Sequence, residues 1–311
     1  GFQFIVAPGV SGWMRSYPDL NRTTINIYNY LRDGYKNKAL GFINTTWDDD
    51  GQNLFNNNWY GLVWGADCGW NAPLNEPAKQ SDETRKARLT AFNRCYNKVY
   101  FNTDKYITAL LWGISNLKAG PVKNSLSTGS IWNALLPDYT VIPDNYERSN
   151  LALIKSIDSL HSEANKLKSA FGRREAEFAL LPFALRQARL VANKNLLGIK
   201  LKQYISADTV LNIDYFRKDF TALADTIKSL KAGYGQLWRL ENRNWWLDTV
   251  YAYYEAFGQK QDDLKGVAII KASDKLVNGK REFTIRSAFS NLPVYYTTDG
   301  SIPTAKSKKY T

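Results

Sequence analysis

The chain has 311 residues, 44% of them hydrophobic and 23% charged, with ten Trp and a formal net charge of +12 at pH 7. These values exclude wholesale disorder and leave room for about two or three domains. The basic residues are spread along the chain and alternate with acids, as between Lys271 and Lys275, so we interpret the charge as a solvated surface and predict no nucleic-acid partner.

The first 78 residues have the pattern of two successive βα units. Residues 4–7 and 39–43 are short apolar runs that predict buried strands, and helices are predicted over residues 23–37 and 54–70. Strand–helix–strand–helix at this spacing indicates parallel strands. Two units cannot close a barrel, but residues 1–78 are compatible with the last two of the eight units of a (β/α)8, or TIM, barrel.

Residues 79–265 are predicted to form an all-α domain, a bundle of antiparallel helices. Ser81 and the two acidic residues after it form a favourable helix start. Long amphipathic runs with few helix breakers make up most of this domain. The predicted helices cover residues 85–101, 103–117, 130–136, 147–171, 174–205 and 213–257.

After Gly266 the pattern changes to the two-residue period of β-strands. We predict that residues 266–311 are the start of a small immunoglobulin-like β-sandwich. The fold class is therefore α/β, then all-α, then all-β. The predicted strands cover residues 267–270, 281–286 and 294–297, with turns at 278–279 and 291–293.

The few His and Cys residues limit the chemistry that the chain can carry. His161 is the single His and lies in a helical stretch, so we predict a helix-surface residue and neither a Ser-His-Asp triad nor a zinc site. Cys68 and Cys95 lie on consecutive predicted helices and are expected near each other, either as a disulfide or as two buried thiols. We predict no metal ion, no cofactor and no membrane span.

The densest polar cluster, from Trp47 through Asp48 and Asp49 to Asp50, directly follows the second predicted strand. The carboxyl ends of the strands carry the active site in a βα barrel. A sugar ring needs an apolar face for stacking and acceptors for its hydroxyls, and Trp47 with Asp49 supplies both on one side of an extended segment. The alternatives are an acidic turn closed by Gly51 and a cation site, although the spacing is not that of a calcium loop.

Trp13 is the other candidate for a sugar contact. It lies after the first predicted strand and a turn that contains Ser11 and Gly12. It either forms a second wall of the pocket or packs in the core beneath the next helix, and the sequence favours neither interpretation.

These two strand ends carry a resemblance to a known family. The order APGVSGW, then one helix, then GFINTTWDDDG resembles the last two barrel units of glycoside hydrolase family 20, especially its compact bacterial β-hexosaminidases and their lacto-N-biosidase-like relatives. In that family the last strand ends in Trp-x-Glu or Trp-x-Asp, and the acid binds hydroxyls of the terminal N-acetylhexosamine. The resemblance implies that Trp47 and Asp49, together with Asp48 and Trp13, contact the substrate.

Two later segments agree with this resemblance. The stretch from Trp238 to Asn244 is similar to a Leu-Trp…Asn-Arg helix that comes after such catalytic domains. Residues 294–303 closely resemble the Tyr-Thr-x-Asp-Gly-x-x-Pro hairpin of the chitobiase C-terminal domain. We interpret its Asp299 and Gly300 as a structural tight turn.

The implied activity is that of an exo-acting β-N-acetylhexosaminidase with substrate-assisted retaining catalysis. The family's catalytic Asp-Glu pair lies after the fourth barrel strand and is absent from this chain. Asp82 and Glu83 are adjacent in the right order, but they lie at a helix start, where acids cap free N–H groups. We therefore expect a fragment that is inactive alone.

The resemblance also implies N-acetylhexosamine-containing glycans as partners and a secreted, periplasmic or cell-surface location. The alternative hypotheses are a non-catalytic glycan-binding protein and a helical scaffold of the cell envelope whose aromatic residues lie mostly in the core.

Overall fold

A computed structural model describes residues 2–13, 15–71, 81–117, 145–206, 214–265, 270–287, 293–304 and 306–311. Over these residues the chain is mostly helical, with one parallel strand pair near the N-terminus and two antiparallel pairs near the C-terminus. The helices are α1 Leu20–Lys36, α2 Trp59–Trp70, α3 Ser81–Cys95, α4 Ile107–Ser115, α5 Tyr146–Leu167, α6 Glu175–Ser206, α7 Asp214–Glu241 and α8 Leu247–Lys265. The strands are β1 Gly9–Ser11, β2 Thr45–Trp47, β3 Ile270–Val277, β4 Lys280–Ser287, β5 Val294–Tyr296 and β6 Lys308–Tyr310.

The two N-terminal strands are parallel, as the sequence predicts, but they lie downstream of the predicted bounds, at residues 9–11 and 45–47. The predicted runs at 4–7 and 39–43 are joined by a parallel bridge between Val6 and Phe42. β1 pairs with β2 so that Ser11 lies opposite Trp47. Backbone hydrogen bonds extend the pairing upstream, and the Val6 N–H donates to the Gly41 carbonyl at 3.1 Å. α1 connects the strands and α2 comes after them, so the chain forms two consecutive βα units.

The prediction that the apolar runs at residues 4–7 and 39–43 are buried is wrong for most of their side chains. Ile5, Leu40 and Ile43 are 50%, 67% and 56% exposed. Strands of a parallel sheet are buried only where both faces and both edges are covered. Here the helices cover one face around Val10, which is fully buried, and the upstream part of the pair is left open.

α1 closes the outer edge of β1. The Gly9 N–H donates to Asn26 Oδ1 and the Ser11 N–H donates to Thr23 Oγ1, each at 2.9 Å. These side chains satisfy backbone donors that would otherwise need a neighbouring strand. The closure covers β1 itself and does not extend to the preceding residues.

One continuous hydrophobic core joins the βα units to the helices. It extends from Val10 to Phe257 and includes the largest fully buried side chain, Trp64 of α2. Consecutive helices from α5 to α8 pack on one another, which confirms the helical part of the prediction. The predicted helix at residues 130–136 lies outside the described residues.

The predicted single helix over residues 213–257 is wrong, because the chain breaks between α7 and α8. Trp246 has a φ of +65°, which a helix does not allow. Side chains of the last turn of α7 fold over the break: Trp238 Nε1 donates to the Arg243 carbonyl at 2.6 Å, and Arg239 Nε donates to Asn244 Oδ1 at 3.0 Å. The polar residues after Glu241 thus end the helix without Gly or Pro.

The C-terminal strands form two separate antiparallel pairs, β3 with β4 and β5 with β6. Asn278 and Gly279 connect β3 to β4 with φ values of +50° and +74°, as a tight hairpin turn requires. Asp299 Oδ1 accepts a hydrogen bond from the Ser301 N–H at 3.0 Å, so Asp299 and Gly300 form the predicted turn. That bond and one from the Ser301 hydroxyl lower the pKa of the Asp299 carboxyl.

Candidate functional site

The carboxyl ends of β1 and β2 lie side by side and bring the predicted site residues to one edge. Ser11, the last residue of β1, is opposite Trp47, the last residue of β2. Trp13 lies two residues after β1, and Asp48 and Asp49 come directly after β2. The parallel register therefore places all four predicted contact residues at or just after the carboxyl ends of two adjacent strands.

Trp47 is half-exposed, and its indole ring packs against Thr45 of its own strand and Gly9 of the neighbouring strand. Its ring is 52% exposed, and its Nε1 donates to Thr45 Oγ1 at 2.9 Å. A Cβ at Gly9 would lie 3.0 Å from Trp47 Cδ1, so the ring packs directly on the glycine backbone. The hydrogen bond and this contact fix the ring and leave part of its surface for a ligand.

Asp48 is the centre of a buried amide network. Asn53 Nδ2 donates to Asp48 Oδ1 at 2.5 Å, and Asn58 Nδ2 donates to Asp48 Oδ2 at 2.8 Å. Asn57 Nδ2 donates to Asn53 Oδ1 at 2.9 Å, and the three Asn side chains are buried. Burial outweighs these hydrogen bonds and raises the pKa of the Asp48 carboxyl. Asp48 therefore holds the loop after β2 in place through hydrogen bonds to side chains of that loop.

Gly12 allows this network to lie against β1. A Cβ at Gly12 would lie 2.5 Å from both Asp48 Oδ1 and Asn53 Nδ2 and 3.0 Å from the Trp47 carbonyl. We expect Gly12→Ala to lower the free energy of unfolding by about 1–3 kcal/mol, because the added methyl displaces a buried network. Urea denaturation measures the change. Gly41→Ala, where a Cβ meets nothing within 4 Å, is the matched control, and equal losses in both variants would contradict the packing argument.

The side chains of Asp49 and Trp13 differ in exposure and in the contacts that they make. Asp49 is exposed, and within the described residues its carboxylate has no hydrogen-bond or ion-pair partner. Trp13 is half-buried, and the guanidinium of Arg22 lies 4.6 Å from the centre of its ring. A stacked cation occupies one face of the ring. Among the described residues, the carboxylate of Asp49 is thus open to solvent, and one face of the Trp13 ring is covered by Arg22.

The helical hairpin of α7 and α8 holds the loop after β2 from the other side. Tyr234 donates to the Gly51 carbonyl, and Val250 packs where a side chain on Gly51 would be. The Glu241 carboxylate accepts hydrogen bonds from the N–H groups of Phe55 at 2.5 Å and Asn56 at 2.9 Å. Glu241 therefore caps the 3-10 turn that leads into α2.

Between this loop and the hairpin lies a cleft of about 520 Å³. The sequence did not identify Glu241, Trp246 or Tyr253 as site residues, and Trp238 entered only through a family resemblance. The sequence feature that could have indicated them is the concentration of aromatic and polar residues where α7 ends. The cleft is lined by Asp48, Gly51, Asn53, Leu54, Phe55, Trp238, Glu241, Asn242, Trp246, Thr249, Val250 and Tyr253.

The titration of Glu241 makes stability depend on pH. Burial, reinforced by the negative charge of Asp48 and opposed by the two backbone hydrogen bonds, raises the pKa of Glu241. A raised folded-state pKa means that the folded protein holds the proton more tightly than the unfolded chain, so this contribution is complete below about pH 4 and is lost as the pH rises through the raised value.

We therefore expect the wild type to lose stability relative to Glu241→Gln as the pH rises from 4 to 8. Urea denaturation of both proteins at each pH measures the difference. If the difference in the free energy of unfolding between the two proteins stays constant, or shifts in favour of the wild type as the pH rises, the pKa of Glu241 is not raised.

The remaining sequence candidates do not form a site. His161 is exposed on α5 and contacts Asn165, which confirms the surface interpretation. Cys68 and Cys95 are free thiols; Cys68 is buried, which raises its pKa to about 12, and Cys95 is exposed, so the expectation of two buried thiols is wrong for Cys95. In the described part of the chain, no group of three or more His, Cys, Asp or Glu residues is arranged to hold a metal ion, and no helix has the length and hydropathy to cross a bilayer.

The comparison with protein families gives a match at the C-terminal end of the chain. The family described as Chitobiase/beta-hexosaminidase C-terminal domain matches residues 273–311, which contain most of β3 and all of β4 to β6. No match was found among curated protein sequences. The C-terminal resemblance is therefore confirmed, and it associates the chain with hexosaminidase-related proteins, while the match does not extend to the βα units or the helices.

Proposed function

We propose that this chain is part of an exo-acting β-N-acetylhexosaminidase of glycoside hydrolase family 20 and contributes the contacts that hold the terminal sugar. One observation carries the proposal: a half-exposed Trp47 and an exposed Asp49 stand at the carboxyl end of a parallel strand, in a chain whose C-terminal segment matches the chitobiase/β-hexosaminidase C-terminal domain. Trp47 stacks on the apolar face of the sugar, and Asp49 accepts its hydroxyl protons.

The exposed apolar residues of the strand pair support a larger barrel. Phe4 and Ile5 are successive residues of the extended segment before β1, so they point to opposite faces, and they are 41% and 50% exposed. A parallel sheet buries both faces, so these residues and Ile43 fit positions that further barrel strands and their helices cover. A neighbouring strand pairs with residues before Gly9, because α1 already satisfies the outer edge of β1.

The family resemblance implies which parts of the complete protein carry out catalysis and which bind the sugar. The substrate's acetamido oxygen attacks the anomeric carbon, an Asp orients that group and a Glu donates the proton. That pair belongs to earlier barrel strands, and residues 1–78 supply stacking and hydroxyl contacts. Residues 79–265 form the helical domain and residues 266–311 begin the C-terminal β-sandwich. The family resemblance favours a location outside the cytoplasm, at the cell surface, in the periplasm or secreted.

Hydrolysis of a chromogenic β-N-acetylglucosaminide by the complete product of the encoding gene tests the proposal. We expect the complete product to release the chromophore with retention of anomeric configuration, and residues 1–311 alone to release none. If the complete product binds N-acetylglucosamine and hydrolyses nothing, the chain belongs to a non-catalytic glycan-binding protein. If it neither binds nor hydrolyses, the proposal is wrong.

A further inference from the structure

The cleft between the loop after β2 and the α7–α8 hairpin has the composition of a second ligand site. Trp47, Asp49 and Trp13 do not line it, and Asp48 is the one predicted substrate contact among its lining residues, so the cleft lies beside the site proposed for the terminal sugar and has a different lining. Aromatic rings from both walls face it, Phe55 from the loop and Trp238 and Trp246 from the hairpin. A volume of about 520 Å³ accommodates one or two sugar rings.

Trp246 is held at the cleft under backbone strain. Its φ of +65° is unfavourable for a bulky residue, and its side chain is 74% exposed. The strained backbone therefore lowers the stability of the fold, and the exposed Trp246 ring contributes little to the core in return. A strained, exposed aromatic residue beside a cleft is typical of a ligand contact.

The charges that line the cleft select the class of ligand. Asp48 and Glu241 line it, and no Lys or Arg is among the described lining residues. Such a cleft disfavours phosphates, nucleotides and acidic sugars. Each carboxylate has about four acceptor positions. Asp48 accepts from Asn53, Asn58 and Thr46, and Glu241 accepts from two N–H groups of the turn before α2 and from Asn242, so each keeps about one position for a ligand.

We propose that this cleft binds a neutral saccharide residue. The ring stacks on Trp246, its hydroxyls donate to Glu241 and Asp48, and Thr249 and Asn242 supply further polar contacts at the rim. The aromatic ring matches the apolar face of a neutral sugar, and the nearby carboxylate acceptors match the hydroxyls at the edge of its ring. No Lys or Arg is among the described lining residues to favour an acidic sugar. The inference stands on the lining of the cleft and is independent of the site at Trp47.

Calorimetric titration with N,N′-diacetylchitobiose in a Trp47→Ala background tests the proposal, because this background removes the contact proposed for the terminal sugar. We expect binding to persist there and to weaken at least tenfold when Trp246→Ala is added. Trp245→Ala is the matched control: Trp245 is 75% exposed, adjacent in sequence and not part of the lining, so its loss should change the affinity less than twofold. Glucuronic acid should bind at least fivefold more weakly than N-acetylglucosamine.

The outcomes separate this inference from the proposed function. Loss of all binding in the Trp47→Ala background, with binding intact in the wild type, overturns the cleft site and leaves the terminal-sugar site standing. Equal effects of Trp245→Ala and Trp246→Ala also overturn it. Binding that depends on Trp246 but not on Trp47 supports the cleft and contradicts the site at Trp47. Thermal unfolding of each variant shows that the fold is retained.

Discussion

Replacing Trp47 with Ala in a Trp246→Ala background, which removes the contact proposed for the cleft, is expected to weaken the binding of N-acetylglucosamine to this chain at least tenfold, with little change in the midpoint of thermal unfolding. Half of the ring is exposed, and its one polar contact is the hydrogen bond to Thr45, so its removal costs the core little. Loss of a stacking platform is worth about 1.4 kcal/mol or more, which corresponds to the tenfold change. Asp49→Ala should weaken binding similarly, because it removes a free acceptor.

Trp70→Ala is the matched control for this prediction. Trp70 is 91% exposed at the end of α2, which leads away from the carboxyl ends of the strands. Its removal should leave both the affinity and the unfolding midpoint unchanged. If Trp47→Ala and Asp49→Ala instead unfold the protein, those residues are structural and the binding site is elsewhere.

Replacing Asn58 with Ala is expected to lower the free energy of unfolding by about 2–4 kcal/mol. Asn58 is fully buried, donates to Asp48 Oδ2 and accepts from Asn53 Nδ2 at 3.0 Å. Ala leaves a buried carboxylate oxygen without one of its donors and opens a small cavity beside it. Chemical denaturation at neutral pH measures the loss.

Asn71→Ala provides the comparison for Asn58. Asn71 is exposed after α2, and its side chain donates only to Asp67 Oδ1 at 3.1 Å. Its replacement should cost less than about 0.5 kcal/mol, since water replaces the lost contact. A loss at Asn58 as small as that at Asn71 would mean that the amide network does not organise the loop after β2.

Local sequence patterns predicted the parts of the fold that depend on local interactions. The apolar runs around Val6 and Phe42 indicated parallel pairing, and the turn at Asn278 and Gly279 indicated a hairpin; both are present. Sequence order alone also placed Trp47 and Asp49 near the carboxyl end of a strand, although the strand itself was predicted at residues 39–43 and includes Trp47 in the structure. Periodicity carries such information because it depends only on near neighbours.

The rest of the candidate site depends on contacts between distant parts of the chain. Glu241 hydrogen bonds to the N–H of Phe55 across 186 positions, and Tyr234 to the Gly51 carbonyl across 183. No local pattern encodes such a pairing. The break before Trp246 was missed because Asn and Arg end α7 through side-chain hydrogen bonds, without the Gly or Pro that usually indicates a helix end.

The most direct test is ¹⁹F NMR of the chain labelled with 5-fluorotryptophan during titration with N-acetylglucosamine. Replacement of individual Trp residues assigns their resonances, and each reports ligand contact at its own position. The Trp47 resonance is expected to shift with saturation, while that of Trp70 stays constant. If the sugar binds and the Trp47 resonance does not move, or if no resonance responds at millimolar sugar, the assignment of the end of β2 as the sugar-binding site is contradicted.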